Sequence, residues 1–127
     1  MGLFDYLLII EFEKEVNQKD IKDFFISKCN FQIIEGENNY VSLEHKAKFG
    51  DIEVLIEKNK GFSIQTNIKN DVGAIVEIIS IIKQFADVLQ IEFNIYDYHN
   101  RKSFKVIDLQ KTEELYIARR TALKEYF

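Results

Sequence analysis

The stretch from 71 to 89, DVGAIVEIISIIKQFADVL, constrains this chain more than any other. Read at helical spacing, its apolar positions run from Val72 through Ile75, Ile78, Ile79, Ile82 and Phe85 to Leu89, with Val76, Ile81, Ala86 and Val88 widening the arc. That arc is too wide for one flat contact. A helix here, begun at Asn70 or Asp71, needs a sheet on one side and a second cover on the other. The expected cover is the last helix of the same chain, with a homodimer partner as the alternative.

The rest of the sequence supplies the sheet. Residues 3–13 alternate, with Phe4, Tyr6, Leu8, Ile10 and Phe12 on one face, while Leu7 and Ile9 add apolar bulk to the other. The pattern predicts a central strand covered on both sides in its middle. Asn17 is a helix N-cap, with Val16 and Ile21 placed as a hydrophobic staple, for a helix over 18–29 that buries Ile21, Phe24 and Phe25 and closes at Asn30. Cys29 reads as a small buried residue of this helix.

Four strands follow, at 31–35, 40–49, 52–58 and 62–68, separated by GENN at 36–39, by Gly50-Asp51, and by Asn59-Lys60-Gly61 with Gly61 at positive φ. A meander joins them most economically. In the second, Val41, Leu43, His45, Ala47 and Phe49 face inward. After the long helix, a strand from Ile91 runs through Phe93 and Ile95 into a hairpin with 103–107, and a last helix over 112–126 buries Leu115, Ala118, Ala122, Leu123 and Tyr126. The order β-α-β-β-β-β-α-β-β-α over 1–127 describes one α+β domain with a largely antiparallel sheet packed by helices. Apolar residues at 46%, with eleven Phe, give such a domain a core without crosslinks or metals.

One cysteine excludes an internal disulfide and fits a reducing, cytoplasmic setting. The apolar run Leu7 to Ile10 is too short for a signal peptide or a membrane span, and Tyr6 stands where a myristoylation pattern wants Ser or Thr. No nucleotide-binding glycine motif, HExxH or nucleophile elbow occurs, so no cofactor or metal is expected.

Reactive side chains concentrate in one place, NIYDYHNRKSF at 94–104. There Asp97 and His99 share a face, and an aspartate that orients an imidazole beside Arg101 outlines an acid-base site, with His45 as the only other histidine. Catalysis needs groups converging from several elements, whereas HNRK sits where a hairpin must turn. The hairpin reading is preferred, and a small metal-independent hydrolase or nuclease using His99, His45, Asp97 and Arg101 stands as the alternative.

Charge is distributed unevenly along the chain. Residues 1–57 hold twelve acids and six lysines, whereas residues 100–127 hold four acids and seven bases. The acids of the first part fall on strand ends and outward faces, so Glu35, Glu37, Glu44, Glu53 and Glu57, with Tyr40 as an aromatic anchor, form the candidate partner-binding set. A negative field of this kind repels nucleic acid and steers a basic protein. The profile matches in type a bacterial immunity protein, which blocks a cognate toxin by occlusion, with a structural homodimer as a third reading.

Overall fold

A computed structural model of the chain describes residues 3–36 and 40–127. Seven antiparallel strands form one sheet in the order β2-β3-β4-β5-β1-β6-β7. They are β1 (Asp5–Phe12), β2 (Gln32–Gly36), β3 (Tyr40–Ala47), β4 (Gly50–Glu57), β5 (Gly61–Asn67), β6 (Phe93–Asp97) and β7 (Lys102–Phe104). Three helices, α1 (Gln18–Cys29), α2 (Val72–Leu89) and α3 (Lys111–Leu123), complete the expected α+β order. The meander β2 to β5 is present, and β1 inserts between β5 and β6. No helix among the described residues is long and apolar enough to cross a membrane.

Local signals set the helix ends. The Asn17 side chain accepts from the Lys19 amide at 2.9 Å, and Asn30 takes the left-handed conformation with φ 60°. Asp71 caps α2 by accepting from the Gly73 amide at 3.0 Å. These bonds satisfy amides that the first helical turn leaves without partners. Cys29 is only half-buried, and burial, with Glu77 nearby, pushes its thiol up to about 11.

All three helices lie on one face of the sheet, where Tyr6, Leu8, Ile10, Phe62 and Ile64 point. Phe85 of α2 is the hub: its ring meets Phe12, Phe24, Phe25, Phe62 and Phe93 at centroid separations of 5.0–6.2 Å. The second side of α2 is covered in part by α3, while Val76 and Val88 of the widened arc stay 47% exposed. Among the described residues no helix lies on the opposite face of the sheet, so Leu7 and Ile9 are partly exposed rather than covered as their apolarity suggested. Alternation identifies which residues share a face but does not count the layers.

The turns depart from expectation in two places. Between β4 and β5, Lys58 takes the positive φ, 52°, not Gly61. Gly61 is required for closeness instead, because a Cβ there would run into the carbonyl oxygen of Ile10 on β1. Between β3 and β4 the chain turns at Lys48 and Phe49, with Gly50 already paired to Ala47. Phe49 therefore leaves the inward row and lies against Gly73 in the first turn of α2.

The last helix shows the largest correction. Its buried residues are Thr112 and Tyr116, following buried Leu109, whereas Ala118, Ala122 and Tyr126 are exposed and Leu115 and Leu123 only half-buried. Tyr116 turns the helix to this phase because its ring meets Tyr6 edge-on at 5.2 Å and its hydroxyl donates to the Asn70 carbonyl at 2.7 Å. Such a side chain contributes apolar area and a polar anchor together, which a hydrophobic ranking undervalues. The strand before it also ends early: β7 stops at Phe104 and Ile107 is 90% exposed.

Candidate functional site

The reactive stretch folds as a β6–β7 hairpin in which Asp97 pairs with Lys102. Its polar groups serve the turn. Asp97 is fully buried, and its Oδ1 accepts from the amides of His99 at 3.0 Å and Asn100 at 2.9 Å. Its Oδ2 accepts from the Tyr6 hydroxyl and from Asn100 Nδ2. Burial, reinforced by this hydrogen bond, raises the Tyr6 pKa far above its ordinary value, so the phenol is a donor at any physiological pH. This carboxylate locks the hairpin to β1, where a solvent-exposed tip was expected.

His99 is half-buried and stacks on the Tyr6 ring at 6.1 Å. Burial, and then the nearby Arg119 charge, lower its pKa, so the neutral ring is favoured. Arg101 is exposed at the tip, with φ 53°. His45 stands elsewhere on the helix-bearing face, its Nε2 3.2 Å from Glu77 Oε1 and its ring 5.2 Å from Phe31. Strands β3 and β6 are four spacings apart, about 19 Å. Of the four residues in the catalytic alternative, Asp97 and His99 are brought together, while His45 lies across the sheet and Arg101 points outward. Among the described residues no three His, Cys, Asp or Glu side chains group as metal ligands would.

The open face of the sheet collects most of the acidic set. Strand register builds it in rows. One row runs Glu35, Ser42, Leu55, Ser63, Ile9, Tyr96 and Ser103 across all seven strands. The row on one side holds Gln32, Glu44, Glu53, Gln65 and Leu7, and the row on the other holds Tyr40, Glu57, Gly61, Glu11 and Asn94. Glu35, Tyr40, Glu44, Glu53 and Glu57 thus share one surface, whereas Glu37 lies outside the described residues. Within it the Tyr40 hydroxyl donates to Glu35 at 2.7 Å, and Gln65 donates to Glu53 at 2.9 Å.

This face also contains what the charge pattern alone does not reveal. Leu7, Ile9 and Leu55 are partly exposed, Tyr96 lies beside Ile9, and Tyr98, 48% exposed, follows it along the chain. The face is therefore graded, mostly acidic over β2, β3 and β4 and mostly apolar to aromatic over β1 and β6, with Leu55 of β4 and Glu11 of β1 crossing that division. At the junction a concavity of about 660 Å³ lies over β5, lined by Leu7, Ile9 and Leu55 and by Glu11, Glu53 and Glu57 among others. The clue in the sequence was the doubly apolar β1, whose second face has no covering element among the described residues.

The basic end of the chain is committed elsewhere. Arg119 Nη2 donates to the Leu3 carbonyl at 3.3 Å, and Arg120 Nε to that of Asn70 at 3.2 Å, tying α3 to the start of β1 and to the β5–α2 connection. No family model, no curated protein and no solved structure matches this chain.

Proposed function

We propose that this chain is a non-enzymatic binding protein whose open, acidic sheet face captures a basic protein and blocks it by occlusion. In type it acts as a bacterial immunity protein does on a cognate toxin such as a nuclease, within the cytoplasm. One observation carries this reading: among the described residues the sheet has helices on one face only, yet its open face carries Leu7, Ile9, Leu55, Tyr96 and Tyr98 beside Glu35, Glu44, Glu53 and Glu57.

The two halves of that face have different physical roles. Carboxylates over β3 and β4 steer a basic partner through long-range attraction, which raises the association rate at low salt. The apolar and aromatic half supplies area that leaves water on contact, and aromatic residues are frequent sources of binding energy. Nucleic acid, uniformly negative, is repelled by the same field. The geometry of the hairpin supports the non-catalytic side of the reading, since Asp97 is consumed by four hydrogen bonds within the fold.

The test is capture from a lysate of the source cell with the wild-type chain and a Glu44→Lys/Glu53→Lys variant side by side. A basic protein retained by the first and lost or slowed in association by the second is the expected result, with the difference shrinking as salt rises. Equal retention by both, or a partner that docks on α3, overturns the proposal. His99→Ala and His45→Ala should leave the inhibitory effect in place, whereas loss of a measurable activity in a folded His99→Ala protein returns the catalytic alternative.

A further inference from the structure

The concavity over β5 has a regular construction. On the open face β5 presents no side chain at Gly61 and a small one at Ser63. Gly61 pairs with Glu57 of β4 on one side and Glu11 of β1 on the other, and Ser63 pairs with Leu55 and Ile9 in the same way. The result is a trough along β5 with two carboxylates facing each other at one end and two aliphatic side chains facing each other in the middle. Its walls stand two strand spacings apart, about 10 Å between backbones, which leaves width for one row of side chains. The far end is closed by the hydrogen bond from Gln65 to Glu53, 2.9 Å. Gly61 cannot be filled, because a Cβ would meet the Ile10 carbonyl oxygen.

Resting on the reading of the open face as a capture surface, we infer that this trough takes two side chains from an extended segment of the basic partner. An arginine enters over Gly61 between Glu57 and Glu11, and an aliphatic side chain enters over Ser63 between Leu55 and Ile9. The charge is complementary: both carboxylates are on exposed residues, and among the described residues neither has an ion-pair partner within 4.0 Å, while Lys60 is the one base lining the trough. A planar guanidinium with five donors can reach both walls at once, which a single ammonium does less well. The two positions lie about 7 Å apart along the strand, the spacing of alternate residues in an extended chain and longer than that of helical neighbours. The partner segment therefore reads Arg-x-Leu, or the reverse, where Leu stands for any aliphatic residue.

The experiment titrates the isotope-labelled full chain with the capped peptides Ac-Ser-Arg-Ser-Leu-Ser-NH2 and Ac-Ser-Leu-Ser-Arg-Ser-NH2 and follows amide resonances. One of them should shift Ile9, Leu55, Gly61 and Ser63. Replacing the peptide's arginine by glutamate, or its leucine by alanine, should remove most of the effect. In the protein, Glu11→Gln with Glu57→Gln should weaken binding at least tenfold, since about tenfold is expected from losing even one of the two charge-assisted contacts. Ser63→Leu, which fills the trough from the outer face, should abolish it, and each variant's own spectrum reports whether it is folded. Absence of shifts, shifts centred on Glu35 and Glu44 instead, or binding indifferent to Ser63→Leu and to the glutamine pair overturns the trough. None of these three outcomes touches capture by the acidic face, which fails separately if Glu44→Lys/Glu53→Lys retains the same partner.

Discussion

Along β1 the two faces of one sheet can be compared residue by residue. Tyr6, Leu8 and Ile10 are each at most 1% exposed, packed under α1, α2 and α3, whereas their neighbours Leu7 and Ile9 look out through partly exposed positions. Both sets are apolar. On the covered face, burial of each such side chain stabilises the fold by roughly 1.5–3 kcal/mol. On the open face Leu7 and Ile9 keep part of their surface in water, and the gain from burying that part is available to whatever binds there. The comparison teaches that apolarity reports where burial is favourable, while topology decides whether the chain or a partner provides it.

The largest effect should come from the covered face. Phe85→Ala removes the hub of the aromatic cluster and should cost about 3–5 kcal/mol in chemical denaturation. A loss under 1 kcal/mol would mean that the covered face is no better packed than the open one. Next comes the hairpin lock. Asp97→Ala leaves the Tyr6 hydroxyl buried without an acceptor and frees two turn amides, at a cost of about 2–3 kcal/mol. Arg120→Glu should cost about 1 kcal/mol by removing one of the two α3 hydrogen bonds to the Asn70 carbonyl, the other being that of Tyr116. The basic tail is thus part of the fold, so its charge reversal should lower stability without changing the association rate of a partner bound at the open face.

A smaller effect is expected from pH. His99 stacks on Tyr6 with Arg119, Asp97 and Asp5 around it, and burial first, then Arg119, hold its pKa below the usual value. In the unfolded chain it protonates near about 6.5, so in the window below that value the unfolded state binds more protons than the native state. Its contribution is therefore fully present above the unfolded value and is lost as pH falls through the lower, native one. His99→Phe keeps a ring on Tyr6 and should flatten this slope relative to wild type in denaturation series at successive pH values. An unchanged slope would sink the assignment.

The smallest stability change should come from the open face. Leu55→Ser should cost no more than about 1 kcal/mol, yet speed dissociation of a captured partner, as should Tyr40→Ala. If Leu55→Ser instead unfolds the protein, the two faces are not distinct in the way β1 suggests.

Much of the fold was written locally. Asn17, Asn30 and Asp71 mark helix ends through bonds between neighbours, and alternation in 40–47 and 5–12 set the inward rows, because side-chain periodicity follows from backbone geometry alone. The acidic set was legible as charge, since outward parity on β3 and β4 needs only the strand assignment. Three things waited for tertiary structure. The phase of α3 is set by the Tyr116 hydroxyl reaching carbonyls about fifty residues away. Asp97, placed by alternation on the face of Phe93 and Ile95, has its carboxylate buried because β1 brings Tyr6 beneath it, a pairing across 91 positions. The open face, with Leu7 and Ile9 beside Leu55 and Tyr96, exists because all three helices chose one side. Local geometry fixes which residues share a face, but whether that face is covered depends on where distant segments pack, and no single stretch of chain carries that information.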